Sequence, residues 1–300
     1  MKERKGEEES GRVNMTQRNG EGESGRAGDL EQPSGIEPAP LVPTPLAPTP
    51  HRPLAPSPHR PLSSEDLRIL LWDIDGTLIR SLRVGAYKDY TIPVLEELFG
   101  TSGRLADMRV SGMTDLQIIA EALRDEGFTH HDIREQIHHL TERLTAEAKK
   151  ITGNGEPFFE VLPGVKQTLE VLSSHPRYQS ALVTGNVEPM AQLKMELVGL
   201  NHFFTLPGAF GDESHERRDL PTRAAERINT YLQTDLPPKH FIVIGDTPND
   251  IDCAHHFGAR AVAVGTGRFY STDELLACNP DAWLEDLSDS ELVLATLAKL

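Results

Sequence analysis

Four short apolar runs, each ending in polar residues and separated by helical patterns, constrain this chain most. Arg68-Ile-Leu-Leu-Trp72 ends in Asp-Ile-Asp-Gly. Gln179–Thr184 is followed by Gly-Asn, Phe241-Ile-Val-Ile-Gly245 by Asp-Thr-Pro-Asn-Asp, and Arg260-Ala-Val-Ala-Val264 by Gly-Thr-Gly. Runs this short with no polar alternation suit strands buried on both faces. The stretches Pro163–Ser173, Val187–Leu197, Pro221–Leu232 and Pro248–Phe257 carry proline in or near their first turn, where helices tolerate it, and Ser288–Leu300 is periodic to its end. Strands alternating with helices predict an α/β fold with a parallel sheet covered on both faces.

Residues 80–161 break that rhythm. They hold helical patterns over roughly 87–99, 114–126 and 129–150 and no convincing buried strand. We therefore expect a Rossmann-like three-layer core from residues 63–79 and 162–300, with a helical subdomain of residues 80–161 inserted after its first strand. Residues 1–62 differ again. They hold 11 of the 22 prolines, no aromatic residue and few aliphatics, with eight basic and nine acidic side chains. Such a segment buries too little apolar surface to offset chain entropy, so it is expected to be a disordered leader. Inside it Leu46–Pro53 is echoed by Leu54–Pro61, a proline density that favours polyproline II and suits a proline-reading partner. Met15 is an alternative start.

Nearly all of the net charge of −16 falls on the rest of the chain. That balance argues against a general nucleic-acid binder, because phosphate backbones select clustered Lys and Arg. Two cysteines, Cys253 and Cys278, make neither a disulfide framework nor a zinc site, and a reducing, cytoplasmic setting is the simplest expectation. No stretch reaches the length of a membrane span, and the start MKERKGEEES has no apolar region typical of a signal peptide.

In open parallel sheets, ligands bind beyond the carboxyl ends of the strands. Here those ends carry Asp73 and Asp75, Thr184, and Asp246 and Asp250. Carboxylates gathered at one rim repel unless a cation sits among them, and oxygen donors of this kind suit a hard ion, Mg²⁺ preferred. Strand alternation puts Asp73 and Asp75 on one side, so one can act as nucleophile and the other as acid and base. Gly76 permits a sharp exit from the strand.

Asp73-Ile-Asp-Gly-Thr-Leu78 resembles the first motif of the haloacid dehalogenase-like hydrolases, Leu182-Val-Thr-Gly-Asn186 their second, and Gly245-Asp-Thr-Pro-Asn-Asp250 their fourth. The resemblance spans about residues 67–300 and is to the phosphoglycolate phosphatase-like branch, with a helical cap after the first motif. It implies that Asp73 attacks phosphorus to form an aspartyl-phosphate, and that Asp75 protonates the leaving alcohol and then activates water. Thr184 would hold the phosphoryl group. Asp73, the Asp75 carbonyl and Asp246 would bind Mg²⁺, with Asp250 in support. Gly76, Thr77, Gly185 and Asn186 would contact substrate. Relatives that cleave carbon–halogen bonds lack the second aspartate, so Asp75 points to phosphate esters.

The chain departs from the family at the third motif, where a lysine is usual. Glu216-Arg-Arg-Asp-Leu-Pro221 has none, so Arg217 or Arg218 must supply the cation, and Asp219 is expected to cap the next helix. Thr114, in Ser111-Gly-Met-Thr-Asp115, is expected as a helix cap or a substrate contact. Arg80 and Arg109 are candidates for a carboxylate or second phosphate. His130, His131, His138 and His139 do not share a helix face at metal-binding spacing. His255, His256 and Cys253 read as core or surface residues, and Gly265-Thr-Gly267 either as backbone donors near the phosphate or simply as a tight turn.

The expected activity is Mg²⁺-dependent hydrolysis of a small phosphorylated metabolite, since a cap covering the site disfavours a protein substrate. Two alternatives stand beside it. A phosphomutase or phosphonate hydrolase would need further cap groups, and the cap lysines Lys88, Lys149 and Lys150 stand in no recognisable motif. A catalytically silent binding protein would use the proline-rich tail. The oligomeric state is left open.

Overall fold

The structure is a computed structural model and describes residues 66–153 and 155–300; the expected disordered leader lies outside the described residues. In chain order the strands are β1 (Arg68–Trp72), β2 (Ile79–Ser81), β3 (Phe159–Val161), β4 (Tyr178–Leu182), β5 (Phe241–Gly245), β6 (Arg260–Val264) and β7 (Ala282–Leu284). The helices are α1 (Ala86–Phe99), α2 (Asp115–Leu123), α3 (His130–Glu135), α4 (Ile137–Thr152), α5 (Val165–Ser174), α6 (Glu188–Leu197), α7 (Leu220–Leu232), α8 (Pro248–Phe257), α9 (Thr272–Ala277) and α10 (Ser290–Leu297).

The main sheet has the order β4-β1-β5-β6-β7, and every pair in it is parallel. Period-two alternation divides its side chains between two cores. Leu70, Trp72, Ile242, Ile244, Val262 and Val264 pack on one side with residues of α5 and α10. Ile69, Leu71, Val183, Phe241, Val243 and Ala263 pack on the other with residues of α7, α8 and α9. Burial on both faces is why these strands read as unbroken apolar runs. Trp72 is fully buried, and its indole N–H donates to the Ser180 hydroxyl (3.1 Å) across the β1–β4 pair.

The inserted residues form a helical lobe with its own core. Tyr90, Leu95, Ile119, Leu123 and Leu140 pack together and against Val187, Met190 and Leu193. Helix α6 thus serves both lobes, because Ala191 and Met195 belong to the sheet-side core. The chain leaves the sheet along β2 and returns along β3, and these two short strands pair antiparallel, with Arg80 opposite Glu160. The ribbon, β7 and α9 are absent from the sequence reading. β2 and β3 are only three residues long, and their polar Arg80, Ser81 and Glu160 mask the strand signal. A second tie joins the lobes: the Asp115 N–H donates to the Gly185 carbonyl (2.7 Å), and the Asp115 carboxylate accepts from the Val187 N–H (2.8 Å).

β1 lies between β4 and β5, so the chain moves to one side of it and then crosses to the other. The ends of β1, β4 and β5 therefore open onto one crevice, at the position where parallel sheets hold ligands.

Candidate active site

Asp73 directly follows β1, and its N–H still donates to Ile244 on β5 (3.0 Å), so the sheet holds its backbone. The chain then turns sharply: the Ile74 carbonyl accepts from Leu78 and Ile79 (2.9 and 3.1 Å), and Gly76 takes φ +93°. A Cβ at Gly76 would stand 2.3 Å from Asp246 Oδ2, and one at Gly267 2.1 Å from the same oxygen. The first and last loops of the site thus close on Asp246 because neither has a side chain there.

Arg217 sits in a single 3-10 turn, Arg217–Asp219, just before α7. Its Nη2 lies 3.0 Å from Asp73 Oδ1 and 2.5 Å from Asp250 Oδ1. Asp250 also caps α8, accepting from the Thr247 N–H (3.0 Å) and hydroxyl (2.7 Å) through Oδ2. Both of its oxygens are therefore engaged. Asp246 accepts from the Thr77 hydroxyl (3.1 Å) at Oδ1, while Oδ2 takes no hydrogen bond from the described residues.

Carboxylate oxygens of Asp73, Asp246 and Asp250 all lie within 4.8 Å of one another, and the three residues are 2–5% exposed. Burial pushes the Asp73 carboxyl up to about 6, with Asp250 and Asp75 adding to the rise against the pull of Arg217. Burial also raises Asp246 well above the usual carboxylate range, helped by Asp73 and Asp250. For Arg217 burial acts downward, but the adjacent Asp250 and Asp73 outweigh it and its guanidinium is held protonated. Three buried carboxylates against one guanidinium leave an excess of negative charge. The hard oxygen donors fit a small divalent cation such as Mg²⁺.

Asp75 is half-exposed to the cavity. Its Oδ2 accepts from Asn186 Nδ2 (2.8 Å) and Lys194 Nζ (2.6 Å). Asn186 also donates to Thr184 Oγ1 (2.8 Å). Asp73, Asp75, Gly76, Thr184, Gly185, Asn186, Arg217 and Asp246 all line one cavity of about 320 Å³, closed from the lobe side by residues including Tyr87, Tyr90, Arg109 and Met113.

Some expected residues lie elsewhere. Arg218 turns outward and pairs with Asp252 (2.6 Å) in the exposed layer, so of the two arginines only Arg217 reaches the carboxylates. Thr77 is buried beneath the site as the donor to Asp246. Thr114 is fully buried and caps α2, accepting from the Gln117 N–H (3.1 Å), and it is not on the cavity wall. Asp219 does not cap α7 with its side chain; its Oδ2 accepts from the Ser214 hydroxyl (2.6 Å), which draws it into the preceding turn. Arg80 and Arg109 do line the cavity, where Arg80 pairs with Glu160 across the ribbon (2.5 Å) and Arg109 lies over the Tyr270 ring (4.2 Å to its centroid). Among the described residues the histidines gather no metal-ligand cluster. Cys253 is buried, which pushes its thiol up to about 12.

Lys194 is the residue that the sequence reading missed. It is 3% exposed, on α6, and also donates to Asn186 Oδ1 (2.6 Å). The signal was present: Asn186, Met190 and Lys194 recur every four residues, which puts a lysine on the same face as the second motif.

A parallel α/β sheet with clustered carboxylates at its switch point and an inserted helical lobe defines the class: an α/β protein with a candidate active site at its strand ends. A model of the haloacid dehalogenase-like hydrolase family matches residues 70–264, and the chain belongs to that family. It is similar to the phosphoglycolate phosphatase of Pasteurella multocida (strain Pm70), 26% identical over 238 residues that cover 76% of this chain and 98% of the relative. It is also similar to that of Vibrio parahaemolyticus (serotype O3:K6), 22% identical over 245 residues, covering 79% and 100%. These relatives put it in the phosphoglycolate phosphatase-like branch. Among solved structures, a hydrolase from Pseudomonas syringae matches with a TM-score of 0.54 at 21% identity, covering 78% of this chain and 99% of that one. A predicted phosphoglycolate phosphatase from Haemophilus somnus matches with a TM-score of 0.52 at 20% identity, covering 77% and 100%. These structural likenesses speak for the fold.

Proposed function

We propose that this hydrolase is a Mg²⁺-dependent phosphatase that acts on a small phosphate monoester through an aspartyl-phosphate on Asp73. One observation carries the reading: Asp73 stands on the cavity floor beside Arg217 and within reach of Asp246, while Asp75, two residues on, faces the same cavity. Phosphoryl transfer needs an in-line nucleophile, neutralised phosphoryl oxygens and a proton for the leaving group. Asp73 supplies the attacking oxygen. Arg217 orients it, and Thr184, on the cavity wall, donates to the phosphoryl group. As the bond from phosphorus to the alcohol oxygen breaks, its electron pair goes to that oxygen, which takes a proton from Asp75. Asp75 as carboxylate then takes a proton from the water that cleaves the acyl phosphate.

Asp73, the Asp75 carbonyl and Asp246 would hold Mg²⁺, and Asp250 would fix Arg217 beside it. Bound there, the ion supplies charge neutralisation for the phosphoryl oxygens. Residues 80–161 act as a cap that excludes water and reads the alcohol part. A cavity of about 320 Å³ is at the small end of ligand sites, which favours a metabolite over a protein. Arg109 and Arg268 line it, so an alcohol part bearing a carboxylate fits its charge, and 2-phosphoglycolate is the first ester to try.

The test is phosphate release from a panel of small monoesters with Mg²⁺ and with EDTA, beside Asp73→Asn. Mg²⁺-dependent release that disappears in Asp73→Asn is expected. A folded protein that releases no phosphate from any ester in Mg²⁺, or an Asp73→Asn variant that stays active, refutes the reading.

A further inference from the structure

We propose that Lys194 is the positioning residue for Asp75: with Asn186 it clamps one carboxylate oxygen so that the other meets the leaving oxygen of the ester. The assignment rests on the phosphatase reading above.

Asp75 needs such a device. It lies past the end of β1, and its side chain is 44% exposed, so the sheet does not fix its torsions. Asp73, by contrast, is buried and held by Arg217. Lys194 Nζ and Asn186 Nδ2 both donate to Asp75 Oδ2, and Lys194 also bonds Asn186 Oδ1, which closes a three-membered ring of hydrogen bonds. Oδ1 of Asp75 receives no donor from the described residues, leaving it for the proton that passes to the alcohol.

The placement of Lys194 is costly unless it does something. An ammonium group that is almost completely buried forfeits hydration, and a paired buried charge is weak evidence for stability as such. Among the described residues it forms an ion pair with Asp75 and acts at longer range on Asp115, and Nζ also lies 5.6 Å from the centroid of Phe159, on the returning strand of the ribbon. α6, which carries it, packs on both the sheet and the lobe, so the clamp is anchored by both. Among the described residues, two cations pair with the first-motif aspartates and do separate work: Arg217 for the nucleophile, Lys194 for the proton donor. A general acid works only within hydrogen-bond reach of the oxygen it protonates, and a displacement of about 1 Å can cost about a hundredfold in rate.

The experiment compares kcat/KM for two probes, phenyl phosphate and p-nitrophenyl phosphate, in wild type, Lys194→Met and Lys194→Gln. This constant reports steps through loss of the alcohol, so the later water attack does not enter. Phenolate is the poorer leaving group and depends more on protonation. The ratio of nitrophenyl to phenyl turnover is expected to rise about tenfold or more in both variants, through a fall on phenyl phosphate. A merely structural lysine lowers both constants alike and leaves the ratio unchanged, and misfolded molecules cancel from it. A ratio within about threefold of wild type, in whichever variant folds, overturns the assignment while the phosphatase reading stands. A wild type that releases phosphate from no ester of the panel, these two probes included, overturns the two together.

Discussion

Removing the guanidinium of Arg217 should unmask the charge that it holds in place. Arg217→Met keeps much of the stem volume but deletes the cation that touches Asp73 and Asp250, leaving these and Asp246 buried together at 2–5% exposure. Breaking a buried ion pair by deleting one partner costs about 3–5 kcal/mol. For a folded unit of this size about 1 kcal/mol moves Tm by about 2–4 °C, so Tm in EDTA near neutral pH should fall by roughly 6–20 °C. The deficit is one of excess negative charge, so it should shrink when protons or a cation replace the guanidinium. Arg217 holds the Asp73 carboxyl down at about 6, and its loss lets that carboxyl rise further, so the deficit narrows as pH falls toward about 6, and again in millimolar Mg²⁺. Thermal unfolding followed by circular dichroism, in EDTA, in Mg²⁺ and at two pH values, reads all three. A variant that melts within about 2 °C of wild type in EDTA, or one that Mg²⁺ does not rescue, refutes the argument that one guanidinium offsets three carboxylates.

Other perturbations test other parts of the site. Gly267→Ala places a methyl group 2.1 Å from Asp246 Oδ2 and should weaken Mg²⁺ binding by about tenfold or more, read from the Mg²⁺ dependence of Tm; an unchanged midpoint speaks against Asp246 as a ligand. Burial raises Asp115 to about 6 from an ordinary 3.8, against the Val187 N–H that lowers it, so the folded state holds this proton more tightly than the unfolded chain. The resulting stabilisation, ~3 kcal/mol, is full below about pH 3.8 and lost as pH rises through about 6. Asp115→Asn should thus melt above wild type near neutral pH and approach it near pH 4, measured in EDTA; a pH-independent difference sinks the idea.

The strands that carry the site were legible because they are buried on both faces. Leu70, Trp72, Ile242 and Val243 leave an unbroken apolar signal, and the polar residues that stop each run are the ones that reach the crevice. Helix bounds followed from proline, and Pro248–Phe257 agrees with α8 to the residue. The β2–β3 ribbon was not legible, because pairing between residues some eighty positions apart leaves no local period. The choice between Arg217 and Arg218 had the same origin. Neighbouring residues in a 3-10 turn point in different directions, and which one faces Asp73 is set by how the turn enters α7. Counting back from Pro221 does not determine that. Thr114 and Thr77 are drawn off the cavity wall for a related reason: each spends its hydroxyl on a nearby partner, Gln117 and Asp246, and is buried in doing so.

Lys194 and Arg217 together account for a chain that departs from its family at the third motif. The cation there sits between two carboxylates, 3.0 and 2.5 Å away, in a layer that is 6% exposed. A guanidinium suits that position, since it stays charged when desolvated and its planar fork offers five donors. A lysine there would bring three donors from a single point charge. The compact ammonium stands instead at Asp75, which is half-exposed and needs one oxygen fixed and the other left free. Each cation thus matches the donor demand of its own aspartate. Exchanging the two residue types would leave Asp73 and Asp250 competing for one point charge, while crowding a fork into the space between α6 and the ribbon.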